Sequence, residues 1–328
     1  MLKLLSLFTG IGAFERALVN LEIPFELINY SEIDANASKA YSILHEVNED
    51  KNLGDIFKIE TSILPDFDLV TYGFPCQCFS LQGNQEGFLN KTKGTLFFES
   101  ARIINDKQPL FAIGENVKAL VSHDKGNTFK TILRVLDEIG YNTYFKVMNS
   151  SDFDILQIRE RIFIVSIRKD IDKGFIFPKG QRTLLTMKDF VDVDEKKVGY
   201  GRKELNLHGN KLENHSRKEM SSGLIQLFNA IEAGFATNGY NNQKLYSVDG
   251  LVPTITTKSD CPSFYEIRRV LNAKEKLMLQ GFTANDYIKL QGIISEAQIM
   301  KQAGNSITVN TIQAILKSLN EQYSLGDL

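Results

Sequence analysis

The feature that most constrains this chain is an alternation: up to Arg168, short apolar runs take turns with segments of helical pattern. The run Leu2 to Phe8 ends in TGIG and gives way to a helical stretch, Ala13 to Asn20. PFELINYSEID ends in Glu32 and Asp34, just before a helical segment from Ala35 to His45. FDLVTYGFPC reads as a buried strand, and PLFAIGENV as another that stops at Glu115 and Asn116, followed by a helix around Thr128 to Ile139. YNTYFKVMNSSDF and QIRERIFIVSIR add two more strands. Strands alternating with helices predict an α/β fold with a mainly parallel sheet covered on both faces. Ligands of such sheets sit at the carboxyl ends of the strands. Thr9 to Gly12, Glu32, Cys76 and Glu115 all fall there.

After Arg168 the texture changes. From about Asp170 to Pro262 mixed charges, glycines and asparagines replace the alternation, which predicts a second, smaller and less regular domain. The helical pattern SITVNTIQAILKSL closes the chain. With 328 residues, 43% of them hydrophobic, the chain can bury a sizeable core. Its net charge of −2 does not by itself announce a nucleic-acid partner. Gly10, Gly12, Glu15 and Arg16 interrupt the one apolar stretch that resembles a signal peptide, and nothing is long enough to span a bilayer, so a cytoplasmic location is expected. Three cysteines and four scattered histidines assemble neither a disulfide framework nor a metal site.

FTGIG is shorter than the dinucleotide fingerprint, because Glu15 stands where a third glycine would. A plain tight turn explains it equally well until Glu32 is added: a carboxylate at the end of the next strand can bind both hydroxyls of a ribose. Asp55, in LGDIF, can accept from an adenine amino group. No basic residue accompanies the turn, which points to an adenosine without a phosphate tail. S-adenosylmethionine fits that description better than NAD or ATP. In GFPCQCFS the C-x-C spacing is too tight for ordinary zinc and one residue short of the usual redox pair. Two buried packing thiols remain the plain alternative. Against it, Cys76 follows a strand and a proline and leads into SLQGNQEGFLNKTKG, which reads as a mobile loop; a thiol at such a turn can act as a nucleophile. Cys78 then reads as a bystander, and Cys261 has no assigned role.

Taken in order, LFTGIGAF, YSEID, GDI, GFPCQCFS, GTLFFE, GENV, QIRERIFIV, RRVLNAKEKLMLQGF and QAGNSITV resemble the motif series of DNA (cytosine-5)-methyltransferases of the bacterial or phage modification type. The resemblance covers Leu5 to about Val309, apart from Asp170 to about Ser263. It implies a Rossmann-like S-adenosylmethionine-dependent methyltransferase sheet in residues 1–169, completed by 296–328, with a target-recognition domain and hinge in 170–295. It further implies that Phe8, Thr9, Gly10, Ile11 and Gly12 hold the cofactor with Glu32, Ile33, Asp55, Ile56, Leu96, Asn305 and Ser306. Cys76 matches the nucleophile that adds to C6 of a flipped cytosine. Glu115 and Asn116 match the pair at the target base, and Arg159 and Arg161 the arginines beside it. Gln77, Ser80 and the loop with Gly83, Gly87 and Gly94 match the segment that holds the flipped strand, and Thr254, Thr256 and Thr257 a DNA-contacting segment. Lys196, Lys197, Arg202, Lys203, Arg217 and Lys218 either meet phosphates or form a solvated face.

The implied partner is double-stranded DNA, with a cognate restriction endonuclease acting separately and the enzyme itself a monomer. A solitary or phage-borne enzyme is the alternative. The tRNA-modifying branch carries a CFT segment that Cys78-Phe79-Ser80 does not supply, and a non-catalytic DNA-binding role is opposed by the intact Cys76, Glu115 and arginines. Three departures from the pattern stand out: Ile33 in place of an aromatic, QGFTAND without its proline, and KLML ahead of Gly281. Each motif also has a local reading. Glu115 can cap a helix, Arg159 and Arg161 can pair with acids such as Asp152 on the surface, and Asn305 with Ser306 can cap the last helix.

Overall fold

β1 (Leu2–Leu7) carries five buried residues of six and can be satisfied only by strands on both sides. It has them: β2 (Phe25–Ser31) and β3 (Leu69–Tyr72) both pair with it in parallel, and β4 (Phe111–Val117) pairs in parallel with β3. The computed structural model describes residues 1–75, 96–191, 218–229, 244–257, 262–267 and 269–328. β5 (Tyr141–Asn149), β6 (Gln157–Ile158) and β7 (Glu160–Arg168) follow, and the six-stranded sheet runs β2-β1-β3-β4-β7-β5. β7 is antiparallel to β4, so the sheet is parallel only through β4.

The helices start where the sequence offers caps. α1 (Ala13–Asn20) begins after Gly12, and α2 (Ala35–His45) after Asp34, whose carboxylate accepts from the amides of Asn36 and Ala37. α3 (Leu96–Lys107) and α4 (Asn127–Glu138) each bury an apolar stripe. The core of this layer joins strand residues Leu5, Val70, Ala112 and Ile164 to helix residues Phe97, Ile104 and Ile132.

The chain divides into two compact units: residues 1–148, 160–179 and 311–328 in the first, and 149–159 with 180–310 in the second. This differs from the boundaries read from the sequence at three places. Residues 149–159 join the second unit, residues 170–179 stay with the first, and 296–310 belong to the second. The reason at 149–159 is backbone pairing. β6 leaves the large sheet and pairs in parallel with β11 (Val252–Pro253), while β7, one residue later, returns to β4.

The second unit holds a sheet of β8 (Lys218–Glu219), β9 (Ile225–Asn229), β10 (Lys244–Tyr246), β12 (Ser263–Phe264) and β13 (Arg269–Val270), in the order β13-β12-β10-β9-β8. Its core gathers Leu156, Met187, Tyr246, Val252, Phe264 and Leu271. Short capped helices follow: α5 (Ala273–Met278) and α6 (Ala284–Leu290) open on the capping boxes Asn272/Glu275 and Thr283/Asp286, and α7 (Glu296–Asn305) opens on Ser295. Arg269 and Glu275 form a two-contact ion pair of 2.7 and 2.8 Å in the same region. α8 (Val309–Tyr323) closes the chain and buries Ile312, Ile315, Leu316 and Leu319 at helical spacing.

One glycine sets how closely α7 packs. A Cβ at Gly304 would lie 2.3–2.4 Å from the backbone of Thr256 and Thr257. Backbone cannot swing aside like a side chain. Gly304→Ala is therefore expected to lose about 1–3 kcal/mol to overpacking, read as a lower urea midpoint; an unchanged midpoint would show that the segment relaxes freely.

Candidate active site

Because β2, β1, β3 and β4 run parallel, their carboxyl ends share one edge of the sheet. That edge collects the turn after β1, Glu32 after β2, Phe74 and Pro75 after β3, and Glu115 and Asn116 at the end of β4.

The turn is wound left-handed at three positions, Phe8 (φ 55°), Gly10 (φ 55°) and Gly12 (φ 78°). A non-glycine residue such as Phe8 adopts that conformation only when its surroundings hold it there. The holding bonds are visible. Thr9 N donates to the Ser31 carbonyl (3.2 Å), Gly12 N to the Thr9 carbonyl (2.9 Å), and Gly10 N to Glu32 Oε2 (2.9 Å). Glu32 Oε1 accepts from Asp34 N at 2.8 Å. Each carboxylate oxygen thus accepts one backbone amide and retains a further lone pair direction.

Sequence reasoning missed Asn52. Its Oδ1 accepts from Glu32 N and Gly54 N, and its Nδ2 donates to the Glu32 carbonyl and Ser38 Oγ. The loop bearing Asp55 is thereby pinned to the end of β2. No local pattern marks such a residue, since an asparagine in a loop is ordinary. Asp55 caps a short 3₁₀ turn by accepting from Phe57 N (3.1 Å). Ile56 is only 2% exposed and packs into the core, whereas Ile33 is 78% exposed. Leu96 opens α3, partly buried against the same core.

Cys76, Gln77 and Ser80, the loop to Gly94 with its expected mobility, Cys78 and Cys261 lie outside the described residues. So do Lys196, Lys197, Arg202, Lys203 and Arg217, while Lys218 is exposed on β8. What leads up to Cys76 is described. Asn116, 3% exposed, donates from Nδ2 to the Phe74 carbonyl at 2.7 Å and accepts from Val117 N at 2.8 Å. Its amide fixes the backbone two residues before Cys76.

Beside it, Arg161 Nε meets Glu115 Oε1 at 3.0 Å, with both side chains mostly buried. The register of β4 against β7 places Val117 opposite Arg161 and Glu115 opposite Phe163, so the pair is a diagonal cross-strand contact. Glu115 lies within a strand and caps no helix. Arg161 also donates to the Glu160 carbonyl (2.9 Å), while Glu160 itself pairs with exposed Lys118.

Arg159 does something different. Expected beside Arg161, it belongs to the second unit and is 3% exposed. Its guanidinium donates to the carbonyls of Ile255 (3.1 Å), Gly304 (3.1 Å) and Ser306 (2.6 Å). It holds three backbone acceptors, which its planar fork suits and a lysine would not. Thr254 in the same unit spends its hydroxyl on the Ile158 carbonyl (2.6 Å), Thr256 is half-buried and Thr257 exposed. Asn305, exposed, ends α7, and buried Ser306 donates to the Ile307 carbonyl rather than capping α8.

An α/β sheet is a common scaffold, but one whose first turn is glycine-bearing and tied to an acid at the end of the second strand, with no basic residue in it, is narrower. It is the Rossmann-like fold of S-adenosylmethionine-dependent methyltransferases. Solved structures agree on the fold: a Dnmt2 methyltransferase from S. pombe superposes with a TM-score of 0.63 at 18% identity, covering 98% of this chain and 99% of that one.

The family is narrower still. A family model described as C-5 cytosine-specific DNA methylase matches residues 2–321, and the chain belongs to that family. Among its relatives, an orphan methyltransferase of Bacillus phage SPR, M.SPRI, is 37% identical over 293 residues, covering 78% of this chain and 64% of the relative. The match to an orphan methyltransferase of Bacillus phage rho11s covers only 37% of that protein's length. The type II methyltransferase M.HhaI of Haemophilus parahaemolyticus is 31% identical over 334 residues, covering 98% of this chain and 95% of the relative. Among the described residues, no helix is long and apolar enough to cross a membrane.

Proposed function

We propose that this protein transfers a methyl group from S-adenosylmethionine to C5 of cytosine in duplex DNA, with Cys76 as the nucleophile. The observation that carries the reading is the joint placement of Asn116, which holds the backbone leading to Cys76, and the Glu115–Arg161 pair next to it.

The residues at the turn fit the cofactor. Among the described residues, Thr9 Oγ1 is buried without a hydrogen-bond partner, and none lies within 4 Å of where Gly10 would carry a Cβ. Glu32 has lone pairs left for a ribose diol, and Phe8, Gly10 and Gly12 give the turn its left-handed course. Asp55 would accept from the adenine amino group. When bound, the cofactor supplies an electrophilic methyl on a sulfonium.

Cytosine C5 is too weak a nucleophile until the ring is made electron-rich. The Cys76 thiolate adds to C6, forming an S–C bond, and the electrons displaced into the ring are met by a proton from Glu115 at N3 and by the Arg161 guanidinium at O2. The step requires Glu115 to carry a proton when the base is bound. C5 takes the methyl, N3 returns its proton to Glu115, C5 gives up its hydrogen as a proton to water acting as base, and the S–C6 bond breaks to restore the ring and the thiolate. Since C6 is covered in a stacked duplex, the base must first be flipped, at a cost of a few kcal/mol. The residues from 180 to 310, with Thr257 exposed, are the proposed reader of the DNA target.

Two settings are open to such an enzyme. The type II relative favours partnership with an endonuclease, and the phage relatives named as orphans favour a solitary enzyme. Incubation with tritiated S-adenosylmethionine and mixed-sequence duplex DNA, followed by digestion to nucleosides, tests the reaction: label is expected in 5-methylcytosine. Label in tRNA alone, or nowhere, would overturn it. An endonuclease gene next to this one, cutting the site that becomes methylated, would select the first setting; its absence selects the second.

A further inference from the structure

α2 ends at His45, whose ring reaches back beneath the glycine turn. His45 Nε2 lies 3.0 Å from the Ile11 carbonyl. A carbonyl can only accept, so Nε2 carries the proton. The imidazole packs against Tyr41 with ring centroids 4.7 Å apart, and Tyr41 stacks in turn on Tyr30 at 4.2 Å. Tyr41 donates its hydroxyl to Glu15 Oε1 at 3.0 Å, and Glu15, in the first turn of α1, is 1% exposed. Burial, reinforced by the Glu15 carboxylate, holds the Tyr41 phenol well above its usual range, so it remains a donor.

The same groups account for Gly12. A Cβ there would lie 2.1 Å from His45 Nε2 and 2.8 Å from Tyr41 Cε2, at a residue whose φ of +78° already favours glycine. The turn is therefore seated from two sides, at its carbonyl by His45 and at the start of α1 by Tyr41 through Glu15. The motif series includes neither of these residues.

We propose that His45, braced by Tyr41, is a positioning residue for the cofactor: its Nε2–H fixes the Ile11 carbonyl, and so the left-handed course of the turn that meets S-adenosylmethionine. The proposal rests on the reading of that turn as the cofactor site. If the ring served only as packing, any ring of similar size would do. If the hydrogen bond matters, a donor at the Nε2 position is what must be kept.

Two substitutions separate these. His45→Phe keeps an aromatic ring and removes the donor; His45→Gln removes the ring and offers an amide N–H at comparable reach. Both are compared with the unaltered protein by urea unfolding, by calorimetric titration with S-adenosylhomocysteine, and by steady-state kinetics with S-adenosylmethionine and duplex DNA. His45→Phe is expected to weaken the dissociation constant and raise KM for the cofactor on the order of tenfold, the loss expected for one hydrogen bond, and more than it lowers kcat. His45→Gln is expected to recover most of that loss even if it unfolds more easily. Equal binding by His45→Phe and the unaltered protein would overturn the proposal, as would His45→Gln binding as weakly as His45→Phe. Should His45→Phe not fold, His45→Asn, an amide too short to reach Ile11, replaces it under the same criteria. If the unaltered protein itself binds no S-adenosylhomocysteine, the cofactor reading fails and this proposal falls with it; tight binding there with insensitivity to His45 overturns the proposal alone.

Discussion

Glu115→Gln is expected to lower kcat for cytosine methylation by about 10²- to 10⁴-fold, the usual contribution of a positioned acid. The substitution is close to isosteric, and the glutamine can still hydrogen-bond to Arg161. It cannot deliver a proton to a ring nitrogen. Since Glu115 sits inside β4 with Phe163 opposite and is 9% exposed, its position is fixed by the sheet and changes little on substitution. KM for DNA should move far less than kcat, because the interaction belongs to the transition state. Steady-state kinetics on a defined duplex measures both. A variant with undiminished kcat would remove Glu115 from the chemistry and leave the pair with Arg161 a structural contact.

Arg159→Ala is expected to act on the fold instead. It would strip the carbonyls of Ile255, Gly304 and Ser306 of a donor in a region where the arginine itself is 3% exposed. Leaving a buried acceptor unpaired costs roughly 1–3 kcal/mol, so a loss of several kcal/mol is expected, a large part of the 5–15 kcal/mol typical of a whole domain. Arg159→Lys should recover little of it, since one ammonium cannot span three carbonyls in the guanidinium's plane. Urea unfolding of these variants beside Arg161→Ala is the check. Arg161, at the start of β7, contacts the Glu115 carboxylate and the neighbouring Glu160 carbonyl, so its loss should be felt in kcat more than in stability. Unchanged unfolding of Arg159→Ala together with lost activity would return Arg159 to the base.

That contrast also shows where the sequence is readable. The helices Ala13–Asn20 and Ala35–His45 are legible to the residue because their starts are written in Gly12 and Asp34. The strands up to Val117, and the polar signals at their ends, follow from apolar runs that stop abruptly at polar residues. Illegible is what depends on pairing between distant segments. QIRER looks like one continuous strand, yet Gln157 and Ile158 pair with Val252 and Pro253 while Glu160 onward pairs with β4. Two arginines that are neighbours in a motif therefore end in different units. Alternating charged and apolar residues cannot encode that split, and neither can they show that β7 runs antiparallel. Asn52 and His45 were invisible for the same reason. Their partners lie 20 and 34 residues away, and their types are unremarkable where they stand.

Cys76 is proposed to bond to C6 of the target base. Duplex DNA with fluorine at C5 of every cytosine tests it most directly, because methyl transfer to such a ring leaves no proton to remove and the thiol–C6 bond cannot break. Incubated with S-adenosylmethionine and the intact protein, then digested and weighed by mass spectrometry, this DNA is predicted to yield a methylated cytosine adduct on the peptide carrying Cys76. An adduct on Cys78 or Cys261, or no adduct from a preparation that methylates ordinary DNA, would contradict the account.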